Sequence, residues 1–189
     1  MAIDQGIAIG CTDINRKGGL RYVALKSWAE LSGNTFVFSN TDHTCSSVGG
    51  AETAYLYEFK DETAKLDVSG TKENGQTTYE VKIEMYIPRL QGAKLQELMQ
   101  AQDECLIAVC QDTNGTNWIL GISEAFENVD VNYRNQTFGT LSALEGSTGA
   151  AFTEENGITV TFMARQFELP REYTGSFTVD TAALTVTLS

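Results

Sequence analysis

Very little of this sequence is suited to catalysis. Its 189 residues include one histidine, His43, and four cysteines, Cys11, Cys45, Cys105 and Cys110, with no Cys-x-x-Cys or His-x-x-x-His spacing. A zinc site therefore lacks its usual ligand pattern, and scattered cysteines of this kind read as reduced, partly buried thiols. Cys105 and Cys110 lie an odd number of positions apart in a strand-like run and are expected to face opposite ways. Basic residues are scarce as well. Thirteen Lys and Arg against twenty-five Asp and Glu give a formal net charge of −12, which argues against a general binder of DNA or RNA but not against a surface past which a polyanion slides. No apolar run reaches membrane-spanning length, and residues 1–11 lack the basic and apolar regions of a signal peptide. The expectation is a protein made in the cytoplasm, without a membrane partner. Only two prolines occur, Pro88 and Pro170, and the chain is 42% hydrophobic and 20% charged, a composition suited to one folded domain over residues 1–189.

The sequence is rich in two-residue alternation. Tyr79, Val81, Ile83, Met85 and Ile87 fall on one side of a strand, and Glu80, Lys82, Glu84 and Tyr86 on the other, up to a stop at Pro88. A second such strand sets Ile158, Val160, Phe162 and Ala164 against Thr159, Thr161, Met163 and Arg165. Shorter apolar runs occur at Gly6 to Gly10, Leu20 to Leu25, Phe36 to Phe38, Cys105 to Val109, Asn117 to Ile122, Val129 to Tyr133 and Phe177 to Leu188. Ser27 to Leu31 fits either strand or helical turn. Asn74-Gly75, Asp112 to Thr116 and Asn156-Gly157 are turn signals. The strands from Tyr55 to Ile87 read as a meander, with Ser69 to Thr78 either a hairpin or an extended arm, and residues 39–50 read as a long polar loop. One helix is predicted over Gln91 to Asp103, with Leu95, Leu98 and Met99 packing on the sheet. Many short strands with a single helix predict a mainly β fold, an antiparallel β-sandwich or barrel with one flanking α-helix.

The usual catalytic patterns find no support. His43 is the one imidazole available to a Ser-His-Asp or Cys-His mechanism, and it lies in a polar loop with no nucleophile elbow nearby. The carboxylate pairs Asp61 and Glu62, Asp103 and Glu104, and Glu154 and Glu155 fall in turns or at element ends, where both members are solvated and their pKa values stay together. Gly146 to Gly149 lacks the lysine and following helix of a phosphate loop. No catalytic residue, cofactor or metal is expected. The alternating aromatics Tyr55, Tyr57 and Phe59, with Tyr79 and Tyr86, read first as sheet core and second as a platform on which sugars stack.

Residues 144–152, Leu-Glu-Gly-Ser-Thr-Gly-Ala-Ala-Phe, with Glu155-Asn156-Gly157-Ile158-Thr159-Val160-Thr161-Phe162 and Glu168-Leu169-Pro170-Arg171, resemble segments of small tail-tube-like virion proteins of bacteriophages and prophages, particularly those of Bacteroidetes hosts. The opening, Gly6 to Cys11 with Gly18-Gly19-Leu20, is similar to their N-termini. The resemblance implies a non-enzymatic protein of the virion tail that forms rings, commonly hexameric. These stack into a tube that meets other tail proteins and conducts DNA without binding it specifically. It also implies a lumen face drawn from Glu80, Lys82 and Glu84, or from Thr159 and Thr161. Loops bearing Asn40, His43 and Gly49, and Asn74 and Gly75, would reach adjacent subunits, with sheet edges paired between neighbours. The alternative is a carbohydrate- or receptor-binding β-sandwich.

Overall fold

A computed structural model describes residues 17–31, 36–124, 138–151 and 153–189. The runs expected at Gly6 to Gly10 and Val129 to Tyr133, and Cys11, lie outside them. Among the described residues the elements are β1 (Leu20–Ser27), a 3-10 turn (Trp28–Glu30), β2 (Val37–Ser39), β3 (Thr44–Ser47), β4 (Glu52–Tyr57), β5 (Lys65–Glu73), β6 (Gln76–Pro88), α1 (Gly92–Gln102), β7 (Leu106–Asp112), β8 (Asn117–Leu120), β9 (Gly139–Ser147), β10 (Gly157–Gln166), β11 (Arg171–Tyr173), β12 (Phe177–Asp180) and β13 (Thr185–Leu188). These described residues are mainly β, and α1 is the one α-helix among the elements given. All strand pairs are antiparallel except β11 with β3.

Two layers result. The long path runs β12-β13-β4-β1-β7-β8-β11-β3-β2, while β5, β6, β10 and β9 lie side by side and join it where Leu106 of β7 pairs with Gly139 of β9. Strand β7 is buried at five successive residues, Leu106 to Cys110, because both of its faces meet apolar neighbours. On one face Val23, Leu25, Ala108, Cys110 and Leu120 pack against Val81, Ile83, Met85, Ile158, Val160 and Phe162 of the smaller sheet. On the other, Ala24, Leu56, Ile107, Val109, Ile119 and Val186 enclose a second core with Phe36, Cys45, Val48 and Tyr173. Only residues 174–176 separate β11 from β12, although these strands stand near opposite ends of the long path. Four residue steps span about 14 Å at most, so the path must curl around the second core. The Tyr173 hydroxyl closes the seam by donating to the Ser189 carbonyl at 3.0 Å. Burial and the neighbouring Cys45 push the Tyr173 hydroxyl pKa up to about 12.

The region from Tyr55 to Ile87 is not a meander. Strand β4 pairs with β1 and β13, and the chain then leaves the long sheet to begin the β5–β6 hairpin. Glu52, Ala54 and Leu56 set the inward phase of β4, which leaves Tyr55 52% exposed. That corrects its reading as core. The 39–50 segment is likewise not one loop, since it contains β3. Helix α1 buries Leu98 and Ala101, and this contact stripe turns Leu95 and Met99 outward, Met99 to 66% exposure. Cys105 and Cys110 are free thiols, and burial raises the pKa of Cys110.

At the junction of the layers, glycine allows an approach that no other residue would. A Cβ on Gly139 would lie 1.9 Å from Cζ of the Phe162 ring, and one on Gly121, at φ +81°, would lie 2.8 Å from the Leu106 carbonyl oxygen. Gln166, buried beside them, accepts from the Gly121 amide at 2.8 Å. Gly139→Ala is expected to destabilise the protein by about 2–3 kcal/mol through overpacking, read as a lower urea midpoint. An unchanged midpoint would mean that the two sheets do not meet there.

Candidate functional site

Strands β5, β6, β10 and β9 turn one side to the core and the other outward, and the register settles which residues share the outward side. Lys65, Glu84, Thr161 and Ala143 form one rung across the four strands, Asp67, Lys82, Met163 and Thr140 a second, and Ser69, Glu80 and Arg165 a third. Tyr86, Thr159 and Glu145 form a fourth. The sequence left the β6 residues Glu80, Lys82 and Glu84 and the β10 residues Thr159 and Thr161 as alternative linings. Pairing of Thr161 with Glu84, and of Thr159 with Tyr86, places all five on one polar face. The opposite side carries Val81, Ile83, Met85, Val160, Phe162 and Ala164, all at most 1% exposed. Each of the five larger ones, Val81, Ile83, Met85, Val160 and Phe162, contributes about 1.5–3 kcal/mol by leaving water.

The face is not simply acidic. Lys65, Lys82 and Arg165 stand against Asp67, Glu80, Glu84 and Glu145, three cations for four carboxylates. Lys82 Nζ lies 2.6 Å from Glu80, Lys65 Nζ 2.9 Å from Asp67 and 3.9 Å from Glu84, and Arg165 Nε 3.8 Å from Glu80. The alternation of charge along and across strands makes these neighbours. Exposed pairs of this kind contribute little stability, but they neutralise the cations locally. The hydrogen bond from Lys82, aided by the charges of Lys82 and Arg165, holds the Glu80 carboxyl below the usual glutamate range.

Of the residues expected in contact loops, Asn74 and Gly75 form the tip of the β5–β6 hairpin with φ of +50° and +83°, the two positive angles of the turn that suits a two-residue hairpin. The hairpin and extended-arm readings both hold. Strand β10 stops pairing at Tyr79, whereas β5 and β6 continue together to Glu73 and Gln76, leaving a two-stranded arm. Its members are exposed apart from half-buried Thr77. Strand β5 has no partner on its second edge among the described residues.

Asn40 and His43 are instead tied into the fold. Arg171, 3% exposed at its side chain, lies 2.7 Å from Glu168 and 3.0 Å from Glu124. It also donates to the Asn40 side-chain oxygen and the Ser39 carbonyl, each at 3.0 Å, and stacks 4.9 Å from the Phe38 ring centre. Asn40 in turn donates to Glu124 at 2.8 Å. His43 places Nε2 3.0 Å from the Leu169 carbonyl oxygen, to which it donates, at φ +54°. The nearby Cys45 thiol is buried and donates to the Ser47 carbonyl at 3.4 Å. Gly49, at φ +95°, donates its amide to the Ser47 hydroxyl. Arg171 was missed as a sequence candidate, although Glu168 and Arg171 at i, i+3 around Pro170 are visible there. The partners on residues 39–44 and at Glu124 are not local.

A separate cleft of about 400 Å³ has Tyr22, Tyr57 and Phe59 in its wall together with Arg21, Asp61 and Lys94. The Tyr57 hydroxyl donates to Glu97 at 3.3 Å, and burial, reinforced by Glu97, raises its pKa. Among the described residues no group of three or more His, Cys, Asp and Glu side chains is placed to hold a metal ion, and no helix is long and apolar enough to cross a membrane.

Comparison with protein-family models, curated proteins and solved structures returns no match.

The paired geometry sets the direction of titration at Glu80. A carboxyl whose folded pKa is lowered contributes stability above its unfolded pKa and loses it as pH falls through the folded value. In an NMR titration Glu80 is expected to protonate at lower pH than an ordinary glutamate, and Lys82→Ala is expected to raise its midpoint. A midpoint unmoved by that substitution would show that the pair does not form in solution.

Proposed function

We propose that the chain is a non-enzymatic virion structural protein that assembles into rings, of six subunits by resemblance to tail-tube-like proteins, and that stacked rings form a phage tail tube or its connector. The observation that carries this reading is the four-stranded polar face backed by core, with an edge at β5 that has no partner among the described residues and an exposed arm at its end. A sheet edge of nine residues is an invitation to pair with another copy. Repeated head to tail around an axis, that contact closes into a ring.

Charge bears on what such a ring conducts. Retention of DNA grows with the number of cations that replace counterions on phosphates. On this face Lys65 and Lys82 are already paired with carboxylates, and the whole chain carries −12. DNA would pass such a lining with little attachment. In this reading the five candidate residues face the lumen and the Asn74-Gly75 arm reaches a neighbour. Asn40 and His43 act by stiffening the segment that presents Gly49. The other tail proteins and the virion location belong to the same proposal.

Concentrated protein, viewed by electron microscopy and weighed by light scattering, is expected to show rings with an axial channel, and deletion of residues 71–78 is expected to leave monomers. A wild-type protein that stays monomeric at every concentration would overturn the reading.

The second reading, a carbohydrate- or receptor-binding module, draws on the exposure of Tyr55 and on the aromatic wall of the cleft. It predicts saturable glycan binding that Tyr57→Ala reduces about two- to tenfold, the scale of one lost aromatic contact of about 0.5–1.5 kcal/mol. A blank glycan array would dismiss it.

A further inference from the structure

Three Asn-Gly pairs occur in the chain, Asn74-Gly75, Asn114-Gly115 and Asn156-Gly157, and the structure treats them differently. Asparagine is chemically labile. Before glycine, the following backbone nitrogen meets no side chain as it approaches the asparagine carboxamide. Whether that attack proceeds in a folded protein depends on how firmly both partners are held.

Asn114 is held at both ends of its amide: Oδ1 accepts from the Lys17 backbone nitrogen at 3.2 Å, and Nδ2 donates to the Lys17 carbonyl at 2.9 Å. The Gly115 nitrogen donates to the Asp112 carbonyl at 3.1 Å. Asn156 accepts at Oδ1 from the Leu90 amide at 3.0 Å and at its carbonyl from the Arg89 amide at 2.6 Å. Gly157 is buried, so close to the Tyr86 ring and the Ile87 carbonyl that a Cβ there would clash with both.

Asn74 has no such restraint. It is exposed, its side chain makes no hydrogen bond among the described residues, and the space around Gly75 is open. The turn rests on rungs of the arm whose strands, among the described residues, pair only with each other, Thr71 with Thr78, Lys72 with Thr77 and Glu73 with Gln76. Opening this tip disrupts no core contact, so it belongs among the cheapest motions of the fold.

We infer that Asn74 is a site of spontaneous covalent modification, at which the native fold confines deamidation to the tip of the arm. The Gly75 nitrogen attacks Cγ of Asn74, forming the C–N bond of a succinimide. The carboxamide nitrogen leaves as ammonia, carrying the proton that Gly75 loses. Water then opens the ring at either carbonyl, giving aspartate or isoaspartate. Both products add a negative charge beside Glu73. Isoaspartate also adds a methylene to the backbone and removes the turn that two residues at positive φ had made.

The test is peptide mapping by tandem mass spectrometry after incubation of the whole folded chain at mildly alkaline pH. The tryptic peptide Glu73 to Lys82 is expected to gain about one dalton at Asn74, at least ~10-fold faster than Asn114 or Asn156 changes, because only the tip opens cheaply. In denaturant the three rates are expected to converge, and Asn74→Gln is expected to abolish the early product. Equal rates at the three sites in the folded protein, or an Asn74 peptide unchanged while either of the others reacts, would overturn the inference. Since the readout is mass at one residue, its outcome is separate from whether rings form.

Discussion

Val81, Ile83, Met85 and Ile87 of β6 project into a core shared with Ile158, Val160, Phe162 and Ala164 of β10 and with Val23, Leu25 and Ala108 of the long sheet. Side chains alternate along a strand, so a slip of one residue in either strand would carry this set into water and bring charged or polar groups inward. The apolar side therefore fixes the polar side. Glu84 stands opposite Thr161, and Glu80 opposite Arg165, because Ile83 and Phe162 must stay together behind them. Gly139 and Gly121 let the second layer come close enough to seal that core.

The curled long sheet depends on a different kind of contact. Its short strands β11, β3 and β2 bury less apolar surface, and Arg171 joins them by meeting Glu168, Glu124, Asn40 and backbone carbonyls from a nearly sealed position. A buried guanidinium of this kind is tolerated because its donors are matched by acceptors. The cluster connects positions 131 residues apart, from Asn40 to Arg171. It leaves the 39–44 segment a braced part of the fold, unlike the free hairpin arm.

The parts legible in sequence were those encoded locally. Alternation from Tyr79 to Ile87 and from Ile158 to Arg165 gave the two longest strands of the smaller sheet and the division of their faces, and Asn74-Gly75 gave the hairpin turn. Pairing was not legible, because neither strand carries a local mark that Thr161 lies against Glu84. The two candidate linings consequently read as rivals when they are neighbours. Tyr55 misled because an alternating row has two phases, and Ala54 and Leu56, smaller and less conspicuous, took the inward one. Leu95 and Met99 misled in a similar way, since helical spacing marks a stripe without saying which part of it the sheet contacts. The Arg171 cluster is built from long-range partners that no spacing reveals.

Folding and proposed assembly meet in the β5–β6 hairpin, whose base belongs to the core and whose tip belongs to nothing within the described residues. Hydrogen exchange read by mass spectrometry, on dilute and on concentrated protein, tests that division directly. Residues 79–88 are expected to be strongly protected at both concentrations, and residues 69–78 to exchange rapidly when dilute and become protected as subunits associate. A tip that exchanges equally fast in associated protein, or a 79–88 segment that exchanges as readily as the tip, would contradict the account.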